Sequence, residues 1–558
     1  MMRIQTVSAL EKVLPRADVR LPESSGVCLS GARYAFQVVV RTERPVRRCR
    51  LTWQSPVPVL LRAETYTTAL FTCNAWHDDY IIGEGEAIFP DALLPYASEE
   101  FSLAAGVNHT FWVTVPAGTL SGTHDLVFCT ENAEDAEDAC ECRYTLTVLS
   151  GEPAESDLIV TKWIHSDCIA EACGVAPFEE AFYTAFGNYV RAAVRSGQTM
   201  AYIPMFTPPL DTAVGGERLT VQSVGVTETG DGYRFDFTRF DRLIVICREA
   251  GIRYFELSHL FTQWGAEKCP KIMVTRPDGS EYRRFGWDTP SDGEDYTAFL
   301  AAFLPVLADH VRELGIFDVT YLHLSDEPSG AHLERYICLY ETVKRYAGGL
   351  PTMDALSNFA FAERGVPDLP VVEAGHVKPF VEHQVPCLLY YACTTDRNNL
   401  PNIFINMPHL RVRVLGIALY MTGAKGFLHW GFNFYHTALS LRRIDPYRSC
   451  DGGETFPAGD PFVVYPDGGL GVYSSVRNEI FALAMQDYRL LITAERRLGR
   501  EGVLALLRRH GFRALTDYTR AESDFDALQQ ELVAAIAEAG ARGTDERNAC
   551  KTESDLLD

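Results

Sequence analysis

The 558-residue sequence predicts an α/β fold: a (β/α)8 TIM-like barrel preceded by an N-terminal β-sandwich domain. Three observations carry this expectation. The length suits one large barrel with an appended domain. Residues 1–150 read as short alternating strands separated by Pro, Gly and Asn. Beyond Glu155, short apolar strands alternate with longer amphipathic segments, the pattern of βα units around a parallel sheet.

In the first region, strands are expected at 34–42, 48–55, 109–118, 124–131 and 142–150, with the acidic stretch 132–141 as a hairpin tip. GEPAES at 151–156 has the composition of a linker. Eight barrel strands follow, at 158–167, 199–206, 252–259, 319–327, 352–357, 369–375, 387–393 and 425–433, so the barrel is expected over 156–495. The helical segments DRLIVICREAG and YTAFLAAFLPVLADHVRELG each close on a glycine stop. Two connections, 207–237 and 260–294, are too long for barrel turns and are expected to lie over the mouth at the strand C-termini. Helices are expected over 496–540, and the polar end, 541–558, is expected to be disordered.

Composition narrows the function. Hydrophobic residues make up 47% of the chain and the net charge is −23, which excludes global disorder and disfavours nucleic acid and anionic membranes as partners. The first twenty residues lack the apolar core of an export signal, and no run is long enough to span a bilayer. Fifteen cysteines form no framework, as expected of reduced thiols, so a cytoplasmic location is expected. Cys140–Cys142 and Cys168–Cys173 lack second pairs at zinc-binding distance.

The fourth barrel strand ends in Asp326-Glu327-Pro328. At that face of a barrel, polar strand ends carry catalysis. A competing reading makes Asp326 a helix cap, with Pro328 in the first turn; spacing alone leaves the two readings even. If catalytic, adjacent carboxylates cannot easily straddle a glycosidic bond as conventional pairs ~5 Å or more apart do. They suit a substrate-assisted reaction, in which the sugar's 2-acetamido oxygen attacks the anomeric carbon.

The runs HSDC (165–168), PMFTPPLDT (204–212), GGERLTVQ (215–222), FELSHLFTQWGA (255–266), HLSDEP (323–328), GFLHWGFNFY (426–435), DPY (445–447) and YPDGG (465–469) resemble glycoside hydrolase family 123. The similarity extends from PDALLP (90–95) to the helical region near 490. It implies an N-acetyl-β-galactosaminidase acting with retention through an oxazoline, with Asp326 orienting the acetamide and Glu327 as general acid/base. Such chemistry needs no metal and no cofactor, and the implied partner is an oligosaccharide or glycoconjugate.

Further candidates for sugar binding follow from strand ends: His165 and Asp167 on strand one, His259 on strand three, and Trp430 and Asn433 on strand eight. Trp264 and Trp287 lie in the long third loop, where an aromatic face can pack on a sugar ring. Tyr391 is expected to donate to the acetamide oxygen, and strand alternation then assigns Tyr390 to packing. Two alternatives stay open: a non-hydrolytic carbohydrate-binding protein on the same barrel, and a glycosidase for a sugar without a 2-acetamido group.

Overall fold

The computed structural model describes residues 2–537 apart from Leu21, Glu84 and Ala136, so the tail expected over 541–558 lies outside the described residues. The N-terminal region contains two five-stranded sheets. One holds Met2–Ser8, Tyr34–Thr42, Asn108–Val115, Leu60–Thr68 and Ile88–Pro95 in that spatial order. The other holds Ser25–Leu29, Cys140–Leu149, Gly122–Asn132, Val46–Gln54 and Phe101–Leu103. Alternate residues of both meet in one core, where Phe36 stacks on Tyr144 with ring centroids 4.0 Å apart.

Five of these strands fall at the expected places and five were not anticipated. Ile88–Pro95 shows why: Pro90 and Pro95 argue against a strand, yet this one is the edge strand of its sheet, with a register shift where it pairs with Leu60–Thr68, and edges and bulges are where a strand tolerates proline.

The barrel strands are Ile159–Lys162, Met200–Ile203, Tyr254–Leu257, Thr320–His323, Thr352–Ala355, Leu369–Glu373, Leu388–Tyr390 and Gly426–His429, each inside its expected range. They run parallel, and every sequential pair from the second strand to the eighth is hydrogen-bonded, with the eighth closing onto the first. The barrel is nearly closed. Between strands one and two no ladder forms; Thr199 N–H bonds to Val160 O (2.9 Å), and the buried Gln198 amide donates to Lys162 O and Met200 O at 3.0 Å each. Inward-facing residues alternate as the pleat requires, and Ile159, Trp163, Met200, Tyr202, Met353, Ala355, Leu388, Tyr390 and Leu428 fill the interior.

The two long connections do not remain irregular. Gly225–Thr229, Gly232–Asp236, Ile272–Thr275 and Glu281–Phe285 pair into a four-stranded sheet, leaving the shorter stretches 207–224 and 260–271 beside the barrel end. Among the described residues no helix is long and apolar enough to cross a membrane.

The helical stretch Val476–Arg509, broken at Gly499 (φ 67°), joins the two regions. Its Arg477 and the Asp91 of strand Ile88–Pro95 form a bidentate pair at 2.9 and 2.7 Å, both side chains essentially without solvent contact. The Tyr465 hydroxyl also donates to Asp91. Breaking a buried pair from one side leaves an uncompensated charge, so Asp91→Ala is expected to cost about 3–5 kcal/mol. Urea unfolding measures this; a cost near zero contradicts the assignment of the joint.

Candidate active site

A cavity of about 190 Å3 opens at the C-terminal end of the barrel strands. Every strand except the sixth contributes to its wall directly or through the segment that follows it: Trp163, Leu210 and Asp211, Gln263 and Trp264, Asp326 and Glu327, Ala355, Tyr390 with 392–394, and Leu428 with Trp430 and Phe456. This is where the fold leaves side chains and loops convergent and the interior open.

Asp326 and Glu327 both face this cavity, which a regular strand would forbid because neighbours point to opposite sides. The fourth strand ends at His323, and Glu327 takes a left-handed backbone conformation with φ 49°. Three anchors hold it. Asp354 accepts from Ser325 N–H and its hydroxyl (2.8 and 2.9 Å), Trp264 N–H donates to Asp326 O (2.7 Å), and Glu327 N–H donates to Ala355 O (2.9 Å). Asp211 and Trp264, on facing loops, are also left-handed (φ 39° and 60°), so backbone strain gathers at the pocket. Asp326 caps no helix: the next turn begins at Ser329, which forms its own capping box with His332.

Below the carboxylates lies a buried polar stack. Glu256 Oε1 accepts from Trp163 Nε1–H (2.8 Å) and bonds His323 Nδ1 (2.7 Å), while His323 Nε2 lies 3.6 Å from Asp354. Burial alone would push His323 down, but Asp354 and Glu256 together raise it to about 10, so it is an imidazolium at neutral pH. His259 stacks on it at 3.9 Å and is held neutral, its pKa pushed well down by burial and then by the charge of His323.

The carboxyls of Asp326 and Glu327 are both held above their ordinary values. For Asp326 the cause is burial, then the charge of Glu327; for Glu327 it is burial, opposed by the hydrogen bond from Tyr390 O–H to Oε1 (2.7 Å) and reinforced by Glu373, Asp354 and Asp460. The two titrate as a unit. Among the described residues nothing hydrogen-bonds the Asp326 carboxylate, which leaves its acceptor sites open to a ligand.

Of the side chains expected at the site, Asp326, Glu327, Trp264 and Trp430 line the cavity. Trp264 is 50% exposed at the rim, and Trp430 is fixed by its Nε1–H bond to Asp460 (2.8 Å). The others do not reach it. Asp167 is buried in a bidentate pair with Arg218 (2.6 and 2.7 Å), which holds it below the carboxylate range against burial. His165 bonds Trp430 O (2.8 Å), and Asn433 clamps the His165 backbone at both N–H and C=O. These groups brace the wall: Arg218 Nη1 donates to Leu210 O (3.0 Å), fixing the loop that carries Asp211.

His259 lies inside the barrel, between Trp163 and His323, with Nδ1 on the Tyr202 hydroxyl (2.8 Å). Trp287 follows the inserted strand Glu281–Phe285 and stands apart from the cavity. The tyrosine assignment is reversed. Leu388 and Tyr390 face inward, so Tyr390 meets Glu327, whereas Tyr391 is buried outside the barrel against Phe427 and His429. Sequence reasoning also passed over Trp163, Asp211 and Gln263. The run PMFTPPLDT placed Asp211 at a strand-two loop, the signal by which it was findable.

Three potential metal ligands, on Asp167, Cys168 and His436, come within 4.8 Å of one another among the described residues. Arg218 already occupies both Asp167 oxygens, so a cation there would meet a buried guanidinium.

The chain matches the family model of glycoside hydrolase 123, catalytic domain, over residues 163–494. No curated protein sequence matches it. Among solved structures, it is similar to a family 123 glycoside hydrolase from Clostridium perfringens studied for glycolipid glycan hydrolysis, with 15% identity, 99% of this chain and 100% of that chain covered, and a TM-score of 0.71. A Bacteroides ovatus GH5 xyloglucanase aligns at 7% identity, 84% and 97% coverage, and a TM-score of 0.31.

The raised carboxyls have a stability consequence. A carboxyl whose folded value lies above its unfolded one favours the fold while protonated, and that stability is lost as pH rises through the folded value. Asp326→Asn keeps the shape without the charge, so its melting temperature is expected to exceed wild type at neutral pH, the gap closing in acid. An unchanged or lower value at neutral pH contradicts the direction given for Asp326.

Proposed function

The chain belongs to glycoside hydrolase family 123, and on that premise we propose that it is a retaining exo-glycosidase releasing terminal β-linked N-acetylgalactosamine, or a related N-acetylhexosamine, by attack of the substrate's own acetamide oxygen. The observation that carries this reading is the pair Asp326 and Glu327 turned to one cavity by the left-handed residue between strand end and loop.

In this reading the acetamide N–H donates to the open Asp326 carboxylate. That bond stabilises the ionised form, so the proton shared by the pair moves to Glu327. Glu327 then delivers it to the glycosidic oxygen as the acetamide oxygen attacks C1 and the C1–O bond breaks. The aglycone departs, leaving an oxazolinium whose ring N–H stays hydrogen-bonded to the Asp326 carboxylate. Glu327, now ionised, takes a proton from water attacking C1 as the ring C1–O bond breaks and the acetamide re-forms with its N–H intact, and this second inversion restores the β configuration. Tyr390 holds Glu327 in line, and the indoles of Trp163 and Trp430, locked by Glu256 and Asp460, supply apolar walls for the sugar ring.

Asp211 supports a second reading. Among the described residues it is the one carboxylate of the pocket outside the pair, and a two-carboxylate mechanism would make it the nucleophile. Aryl β-glycosides with and without the 2-acetamido group separate the two: substrate assistance predicts an inert 2-hydroxy sugar, and a nucleophilic Asp211 predicts turnover of both.

Glu327→Gln is expected to lower kcat/KM on a natural disaccharide by about 10²- to 10⁴-fold, and less on aryl glycosides whose leaving group needs little protonation. Near wild-type turnover of the disaccharide overturns the role. Tyr390→Phe removes a bond that favours ionised Glu327, so the alkaline limb of the kcat/KM profile is expected to move to higher pH. A limb that stays or moves down contradicts the Tyr390–Glu327 coupling.

A further inference from the structure

The cavity wall is chemically one-sided. Among the described residues its lining contains three carboxylates, Asp211, Asp326 and Glu327, and no Lys, Arg or His. Asp354, Glu373 and Asp460 stand behind it, near enough for their charges to act on Glu327. The nearby cations are already committed: Arg218 to both oxygens of Asp167, and the His323 imidazolium between Glu256 and Asp354. Low-dielectric walls focus such a field into the space between them.

The pair Asp326 and Glu327 holds the proton that hydrolysis needs, which leaves Asp211 as the carboxylate without a chemical task. It is built in with care. Its Oδ2 accepts from Leu439 N–H (2.9 Å), its carbonyl accepts from the Ser440 hydroxyl (2.7 Å), and Arg218 pins the preceding carbonyl of Leu210 (3.0 Å). Among the described residues no basic side chain lies within ion-pair distance of it. Burial raises it to about 6, with Arg218 and His436 opposing, so above neutral pH it is ionised.

We propose that the pocket selects an uncharged terminal sugar, and that Asp211 is the specificity-determining residue that turns away sugars bearing an anionic substituent such as a sulfate ester. The proposal rests on the reading of this cavity as the sugar site. Asp211 offers a fixed acceptor to the hydroxyls of a neutral ring. The same carboxylate faces an anionic ester with like charge and without a counter-ion, a repulsive element of the kind that specificity requires.

The test compares an aryl 2-acetamido-2-deoxy-β-galactoside with its 4- and 6-sulfates, slightly above neutral pH and at low salt. Wild type is expected to favour the unsulfated parent by about 100-fold or more in kcat/KM, since like-charge juxtaposition costs several kcal/mol. Asp211→Asn, which keeps the size of the side chain, is expected to narrow the larger gap at least about 10-fold while weakening turnover of the parent. Equal cleavage of parent and sulfates by wild type, or an unchanged ratio in the variant, overturns the proposal.

Binding of free N-acetylgalactosamine and its sulfates to wild type, followed by calorimetry, needs neither turnover nor the variant. The sulfates are expected to bind at least about 10-fold more weakly at low salt, with the gap shrinking at high salt. Equal affinity overturns charge selection even if the variant fails to fold. If the parent glycoside is not cleaved but the free sugars are discriminated in this way, the hydrolase reading falls and the selectivity stands.

Discussion

Two consecutive side chains of an extended strand cannot face the same space, and the site depends on a local escape from that rule at Asp326 and Glu327. The chain leaves the barrel ladder after His323 and turns through a left-handed residue at Glu327, a conformation unfavourable for a non-glycine side chain. It persists because the surroundings over-determine it: Asp354 grips Ser325, the loop after strand three grips the Asp326 carbonyl, and strand five grips the Glu327 amide. Each anchor comes from a neighbouring strand end, so closure of the barrel on that side is a condition for bringing the two carboxyls to one cavity.

The polar groups around the cavity divide into those left open and those consumed in holding the walls. Arg218 joins Asp167 after strand one to the loop after strand two, Asn433 fastens strand eight to strand one, and Asp460 fixes Trp430. All are buried, and each has its hydrogen-bonding capacity largely met by protein, so little is left for a ligand. Asp326 differs in having unspent acceptors. The same logic extends to the joint with the N-terminal sheets, where Arg477 and Asp91 neutralise one another in the interior.

The eight barrel strands were legible because their apolar runs and glycine stops are strong local signals, and the position of Asp326-Glu327 followed from the end of the fourth. Strands whose identity depends on pairing were hidden: Ile88–Pro95, with two prolines, is not among the strands expected from the sequence, and its place at a sheet edge is what makes it one. Site residues failed where one-residue parity mattered. Strand seven is three residues long, so the inward face passes from Leu388 to Tyr390 and then ends, and an estimate taken from the longer run CLLYYAC selects Tyr391 instead. His165, Asp167 and Asn433 stand at strand ends as anticipated, but a polar residue there can serve the cavity or its scaffold, and only the positions of Arg218 and of the His165 backbone decide which. The runs HSDC and GGERLTVQ, read separately, gave no sign that Asp167 and Arg218 meet.

In the proposed reaction the nucleophile belongs to the substrate and the adjacent carboxyls serve it. Progressive fluorination of the acetyl methyl group of an aryl N-acetyl-β-galactosaminide withdraws electron density from the oxygen assigned to attack C1 and leaves the leaving group untouched. Substrate assistance is expected to give a steep, monotonic fall in kcat/KM from acetyl to trifluoroacetyl. A flat series, with the sugar trapped covalently on Asp211 or another enzyme carboxylate, would contradict it.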